Sequence, residues 1–170
     1  MNIRRLTRCA LFASVALIIF ILEAHIPPVI PVPGFKLGLA NVVTLTALYL
    51  LGGQYAFAVL LIRCFMGAVF GGGISGLLFS LTGGILAMVT MIFGKKMPIF
   101  SVYGVSILGA AAHNIGQILA AMVLLQSPYI AAYLPYLLVV ALFTGFAIGA
   151  AGAGILRIFK AVHISKEMDR

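Results

Sequence analysis

Charge is what this sequence has least of, and acid above all. Glu23, Glu167 and Asp169 are its only carboxylate side chains, and charged residues make up 8% of the 170, against roughly 25% in soluble domains. That scarcity, with 64% hydrophobic residues and a mean hydropathy of +1.23, excludes a soluble globular domain and implies an integral membrane protein. Strict two-residue alternation of apolar and polar positions is also missing. This excludes a membrane barrel and leaves apolar helices of about 20 residues as the spanning element. Cysteine is scarce too. Cys9 and Cys64 lie far apart inside apolar runs, have no partner at metal-ligand spacing, and read as packing residues.

The formal charge of +8 is placed where the ends of membrane helices would be. Arg4, Arg5 and Arg8 precede the first apolar run, Lys95 and Lys96 separate two runs, and Arg157, Lys160, Lys166 and Arg170 follow the last. By the positive-inside rule these mark cytoplasmic ends. No basic patch is interleaved with exposed aromatics in a soluble module, so no nucleic-acid partner is expected. The fold expected is an all-α six-transmembrane-helix bundle with both termini cytoplasmic. Residues 1–162 form the single transmembrane domain and 163–170 a polar cytoplasmic tail.

The first helix is expected from Leu6 to Ile26. Its basic start and apolar run have the look of a signal peptide, but further spans follow and no small-residue cleavage site is evident, so it reads as a retained anchor. Ala10 and Ser14, four apart, put two small side chains on one face and allow close approach of another helix. Pro27, Pro28, Pro31 and Pro33 then forbid a helix, making residues 27–34 a stiff extended connector. Apolar and rimmed by Glu23, His25, Lys36 and Asn41, it reads as a lid over the mouth of a binding site.

Further helices are expected at Leu37 to Leu51, Gln54 to Phe70, Leu77 to Phe93, Val102 to Leu125 and Ile130 to Phe159. Gly71-Gly-Gly-Ile-Ser-Gly76 lacks the lysine and hydroxyl of a phosphate loop and reads as a flexible outer turn. Pro135 is expected to bend the outer end of the last helix.

Few polar side chains fall inside these runs, and each needs a reason to be there. Arg63 lies mid-helix, where a guanidinium costs at least about 2.5–3.5 kcal/mol, so it should face the interior. It pairs either with Glu23, as a brace, or with an anionic group on a ligand. His113, Asn114 and Gln117 share a helical face and are candidate lining residues beside Glu23, Lys36, Asn41 and Arg63. Ordinary interhelical hydrogen bonding is the alternative. Tyr133 and Tyr136 share a face at the outer interface, as belt aromatics or as stacking groups for a ligand. His113 has no second histidine or carboxylate at ligand spacing, so no metal is expected.

Two stretches carry a family resemblance. Pro33-Gly-Phe-Lys-Leu-Gly-Leu-Ala-Asn-Val42, and Leu61-Ile-Arg-Cys64 before a glycine-rich turn, resemble the Gx transporter family, also labelled heptaprenyl diphosphate synthase component I. With the basic start and proline-rich first loop, the chain is similar over residues 6–160 to the substrate-binding S components of energy-coupling factor transporters. The resemblance implies uptake of a small vitamin-like or anionic molecule across a bacterial-type plasma membrane. It also implies docking of the first helix, here through Ala10 and Ser14 where S components commonly carry Ala-x-x-x-Ala, onto a transmembrane coupling subunit that works with two ATPases. The rival expectation is a non-catalytic accessory subunit of polyprenyl diphosphate or quinone synthesis, or of flavin-linked extracellular electron transfer. Prenyl transfer itself typically needs paired aspartate-rich motifs for magnesium. Asp169 is the only aspartate, so the chain is not expected to be an enzyme, and no cofactor is expected.

Overall fold

The computed structural model describes residues 3–23, 25, 26 and 38–168, all built from helices and turns. The expected proline lid at 27–34, and Lys36 with it, lie outside the described residues. The helices are α1 (Ile3–Glu23), α2 (Asn41–Leu50), α3 (Gly53–Gly67), α4 (Gly73–Lys96), α5 (Val102–Leu124) and α6 (Leu134–Met168). A π-helical turn, Ala68–Gly72, extends α3, and a 3-10 turn, Pro128–Tyr133, leads into α6. Five of these helical stretches are long and apolar enough to cross a membrane. With large apolar side chains such as Leu11, Phe65, Val69 and Phe143 exposed on the outside, the chain is a multi-pass membrane protein.

The sixth helix, α2, differs most from its expected span of Leu37 to Leu51. Gly38 takes φ +81°, and Asn41 N–H donates to Gly38 O at 2.8 Å, so a turn occupies residues 38–40 of that span. The helix that follows has ten residues, about 15 Å at 1.5 Å per residue, half of a hydrocarbon core. It ends where Gly52 adopts φ +93°. Seven of its ten residues are buried, so α2 sits within the bundle as an inner strut.

The glycine run after α3 also departs from expectation. In place of a flexible turn over residues 71–76, the chain stays helical. Gly73 N–H donates to Ala68 O, a five-residue bond, and the reversal is confined to Gly73 at φ +59°. Within a bilayer every backbone group must be satisfied by the chain itself, and the wider π winding turns the corner without releasing those bonds. At the start of α6, Pro135 falls in the first turn, where its missing N–H is tolerated. The expected bend there is a change from 3-10 to α winding. The α6 helix continues through Met168.

Small residues decide which helices meet. One stripe of α1, Cys9, Ala13, Ala16 and Phe20, is buried, its N-terminal part, Cys9 and Ala13, packing on Val59 of α3. The α4 and α5 helices touch through Gly83 and Gly116. A Cβ placed on Gly116 would lie 2.6 Å from Thr82 O and 2.7 Å from the Gly83 Cα. On its other side α5 meets α6 at Gly145, where a Cβ would come within 2.7 Å of the Ile107 Cα. With twelve buried residues, α5 is the central post.

Lys95 ties α2 to the end of α4. Its ammonium donates to Leu48 O at 2.9 Å and lies 4.8 Å from the centroid of the Tyr49 ring, placing a cation against the negative end of α2. Lys95→Met should therefore lower stability by about 1 kcal/mol. Thermal unfolding of the detergent-solubilised protein would register the loss, and an unchanged midpoint would remove the strut role.

Candidate functional site

Gly38 is the point on which the buried polar groups converge. Three elements reach it: Glu23 from the end of α1, Asn41 from the first residue of α2, and His113 from the middle of α5. Gly38 N–H donates to Glu23 Oε1. An ideal Cβ on Gly38 would lie 2.8 Å from Asn41 Nδ2 and 3.3 Å from both Cδ2 and Nε2 of His113. The imidazole is held on its other side by Gly83 of α4, whose added Cβ would fall 2.9 Å from Cε1 and Nδ1. Two glycines thus form the slot for one ring, and a side chain at either would drive it out.

Arg63 joins from α3. It is only 3% exposed, and its Nη2 donates to Asn41 Oδ1 at 3.3 Å. Among the described residues no ion pair links Arg63 to Glu23, so its hydrogen-bonding partner there is a neutral amide, and its Nε has none. Glu23 instead holds the backbone that positions Asn41. A buried cation served by one amide has bonding capacity to spare, since a guanidinium carries five donors.

Further buried polar atoms around this cluster lack well-aligned partners among the described residues: His113 Nδ1, which lies against the Gly83 backbone, Gln117 Oε1, and Ser106 Oγ. Buried polar atoms without partners are uncommon and call for an explanation. Ser106 is absent from the sequence-derived set, although it was findable there. It lies seven residues before His113, two helical turns along the same face. Beside Ser106 and Asn41 is a void of about 10 Å³, the space of one water.

The other expected site residues go elsewhere. Asn114 Nδ2 donates to Leu137 O at 2.8 Å, so that side chain ties α5 to α6, a contact worth about 0.6 kcal/mol in membranes. Tyr133 and Tyr136 are 46% and 55% exposed and stand outside the cluster. Ala10 and Ser14 lie on the exposed surface of α1, the serine hydroxyl donating to Ala10 O at 3.0 Å. Glu23, Asn41, Arg63 and His113 are therefore the residues brought together, with Gln117 one turn along α5 from the histidine.

The family described as heptaprenyl diphosphate synthase component I matches residues 12–155, nearly the whole apolar bundle. No curated protein and no solved structure matched the chain.

Proposed function

The chain belongs to the heptaprenyl diphosphate synthase component I family, and from that premise we propose that it is a non-catalytic, membrane-embedded substrate-binding subunit. It takes up a small vitamin-like or anionic molecule and depends on a separate energy-coupling module. The observation that carries this reading is Arg63, buried at 3% exposure on a neutral amide partner. Retaining such a charge inside a membrane bundle is costly, and intramembrane ionisable groups are functional by default. An anion arriving beside Asn41 and His113 would take the free donors of Arg63 and accept from the imidazole. Glu23 holds the Gly38 turn in place, which fixes Asn41 and sets the geometry the anion would meet. The remaining expected roles belong to the same proposal: Lys36 and the proline segment at the mouth, Tyr133 and Tyr136 at the outer rim, cytoplasmic termini, which require the segment containing the short α2 to make a sixth crossing beside the five long helices, and Ala10 with Ser14 docking on a coupling subunit.

A second reading is favoured by the family's own description, which names a component of a synthase. In it the chain is an accessory membrane subunit that holds a catalytic partner or its lipid-like substrate. Affinity isolation from native membranes separates the two. Co-isolation of a transmembrane subunit and ATPases, with a small molecule retained in native mass spectrometry, is the expected result. Co-isolation of a soluble prenyl synthase, with no ATPase, would overturn the uptake reading.

A further inference from the structure

At the opposite end of α1 from Glu23 lies a groove of about 1150 Å³ between α1 and α6, with the short α2 along its floor. Its existence follows from the ten-residue length of α2. Two long helices stand on either side of a short one, and the space beside its end is left open. Leu11 and Val15 of α1, Val43 of α2, and Leu156 and Phe159 of α6 make the walls apolar, while Arg8 and Lys160 stand at the charged end. Arg8, Leu11 and Val15 recur at three- and four-residue spacing, one stripe of the helix. Ala10 and Ser14 lie on another, so this surface is distinct from the docking pair.

We propose that this groove binds an anionic phospholipid, its acyl chain between α1 and α6 and its phosphate between Arg8 and Lys160. In a bilayer, an apolar recess of this size is filled by hydrocarbon rather than water. The head group is selected by charge. Two acids fall within the described helices: Glu23, fifteen residues from Arg8 and so about 22 Å along α1, where it already accepts from Gly38 N–H, and Glu167, seven residues beyond Lys160 and so about 10 Å further along α6. Glu23 can reach neither groove cation from there, and the rise along α6 sets Glu167 about two helical turns beyond Lys160. Basic side chains at such an interface attract anionic lipid, and an apolar slot between two cations adds a place for the tail.

The test uses the full chain in vesicles of equal phosphatidylglycerol and phosphatidylcholine with identical acyl chains, extracted mildly and examined by native mass spectrometry. Phosphatidylglycerol should be retained in excess. Each interfacial cation contributes roughly fivefold, so the double variant Arg8→Gln, Lys160→Gln should lower the anionic-to-zwitterionic ratio roughly twenty-five-fold. A matched pair outside the groove, Arg5→Gln with Lys96→Gln, should leave it unchanged; those side chains lie over Tyr55 and Phe93. Filling the slot with Val15→Trp and Leu156→Trp should release the lipid while both cations remain. Equal retention of the two lipids, an equal fall in the matched pair, or undiminished binding in the filled variant would each overturn the proposal. So would cross-linking of Val15→Cys to a polypeptide in native membranes without lipid enrichment, which would assign the groove to a protein partner. None of these outcomes depends on the ligand at Arg63, so the uptake reading stands or falls separately.

Discussion

Gly116→Val should prevent recovery of folded protein. The position faces backbone rather than side chain: an added Cβ would sit 2.6 Å from Thr82 O, 2.7 Å from the Gly83 Cα and 2.8 Å from the Gly83 nitrogen. A flexible neighbour could rotate away, but a helix backbone cannot, so α4 and α5 would have to separate along their seam. Overpacking a core typically costs about 1–3 kcal/mol and occasionally more, and this case belongs at or above the upper end because nothing nearby can yield. The damage would spread to the polar cluster, since Gly83 is also one wall of the His113 slot. Gly116→Ala should do the same in milder form. Gly154→Ala supplies the control, having nothing within 4 Å of its added Cβ, and should be neutral or slightly stabilising through better helix propensity. Size-exclusion monodispersity and thermal unfolding in detergent would report all three. A monodisperse valine variant with an unchanged midpoint would show that the seam is looser than these distances imply.

The same seam marks how far the sequence could be read. The apolar runs were long and their punctuation plain, so α5 was expected at Val102 to Leu125 and observed at Val102–Leu124. Where glycine carried the message, the reading was weaker. Gly38 and the 71–76 run look alike in composition, yet the first breaks a helix through its left-handed φ, whereas the second continues one through a π turn. Only the tertiary surroundings decide between these, because glycine adopts both at little cost. The buried polar residues were equally conspicuous as exceptions in apolar segments. Their partners were not, since two of the decisive contacts are to backbone: Glu23 to the Gly38 amide and Asn114 to the Leu137 carbonyl. A backbone group leaves no trace in a residue pattern. The residue pattern therefore leaves an Arg63–Glu23 brace and a ligand anchor on equal terms.

Supplying Arg63 with its own counter-ion is the sharpest way to divide those alternatives. Asn41→Asp changes one neutral oxygen, 3.3 Å from Nη2, into a carboxylate without altering the size of the side chain. At that separation, and with an effective dielectric near 20, the gross attraction is about 5 kcal/mol, part of which is offset by desolvating the new charge. Glu23, approaching Gly38 from the end of α1, opposes the change by like-charge repulsion, but its carboxylate is held by an amide that remains in place. The attraction to the nearer guanidinium should win, leaving thermal stability at or above that of the parent protein. Binding should move the other way. If Arg63 anchors an anion, the resident carboxylate occupies the donors the ligand needs and repels its charge, and retention of the small molecule should fall at least about 100-fold, the equivalent of about 3 kcal/mol. A brace would produce only the first effect. Native mass spectrometry of parent and variant, read beside their unfolding midpoints, distinguishes the cases: a variant as stable as the parent that still carries the same molecule would mean that Arg63 holds helices together and nothing else.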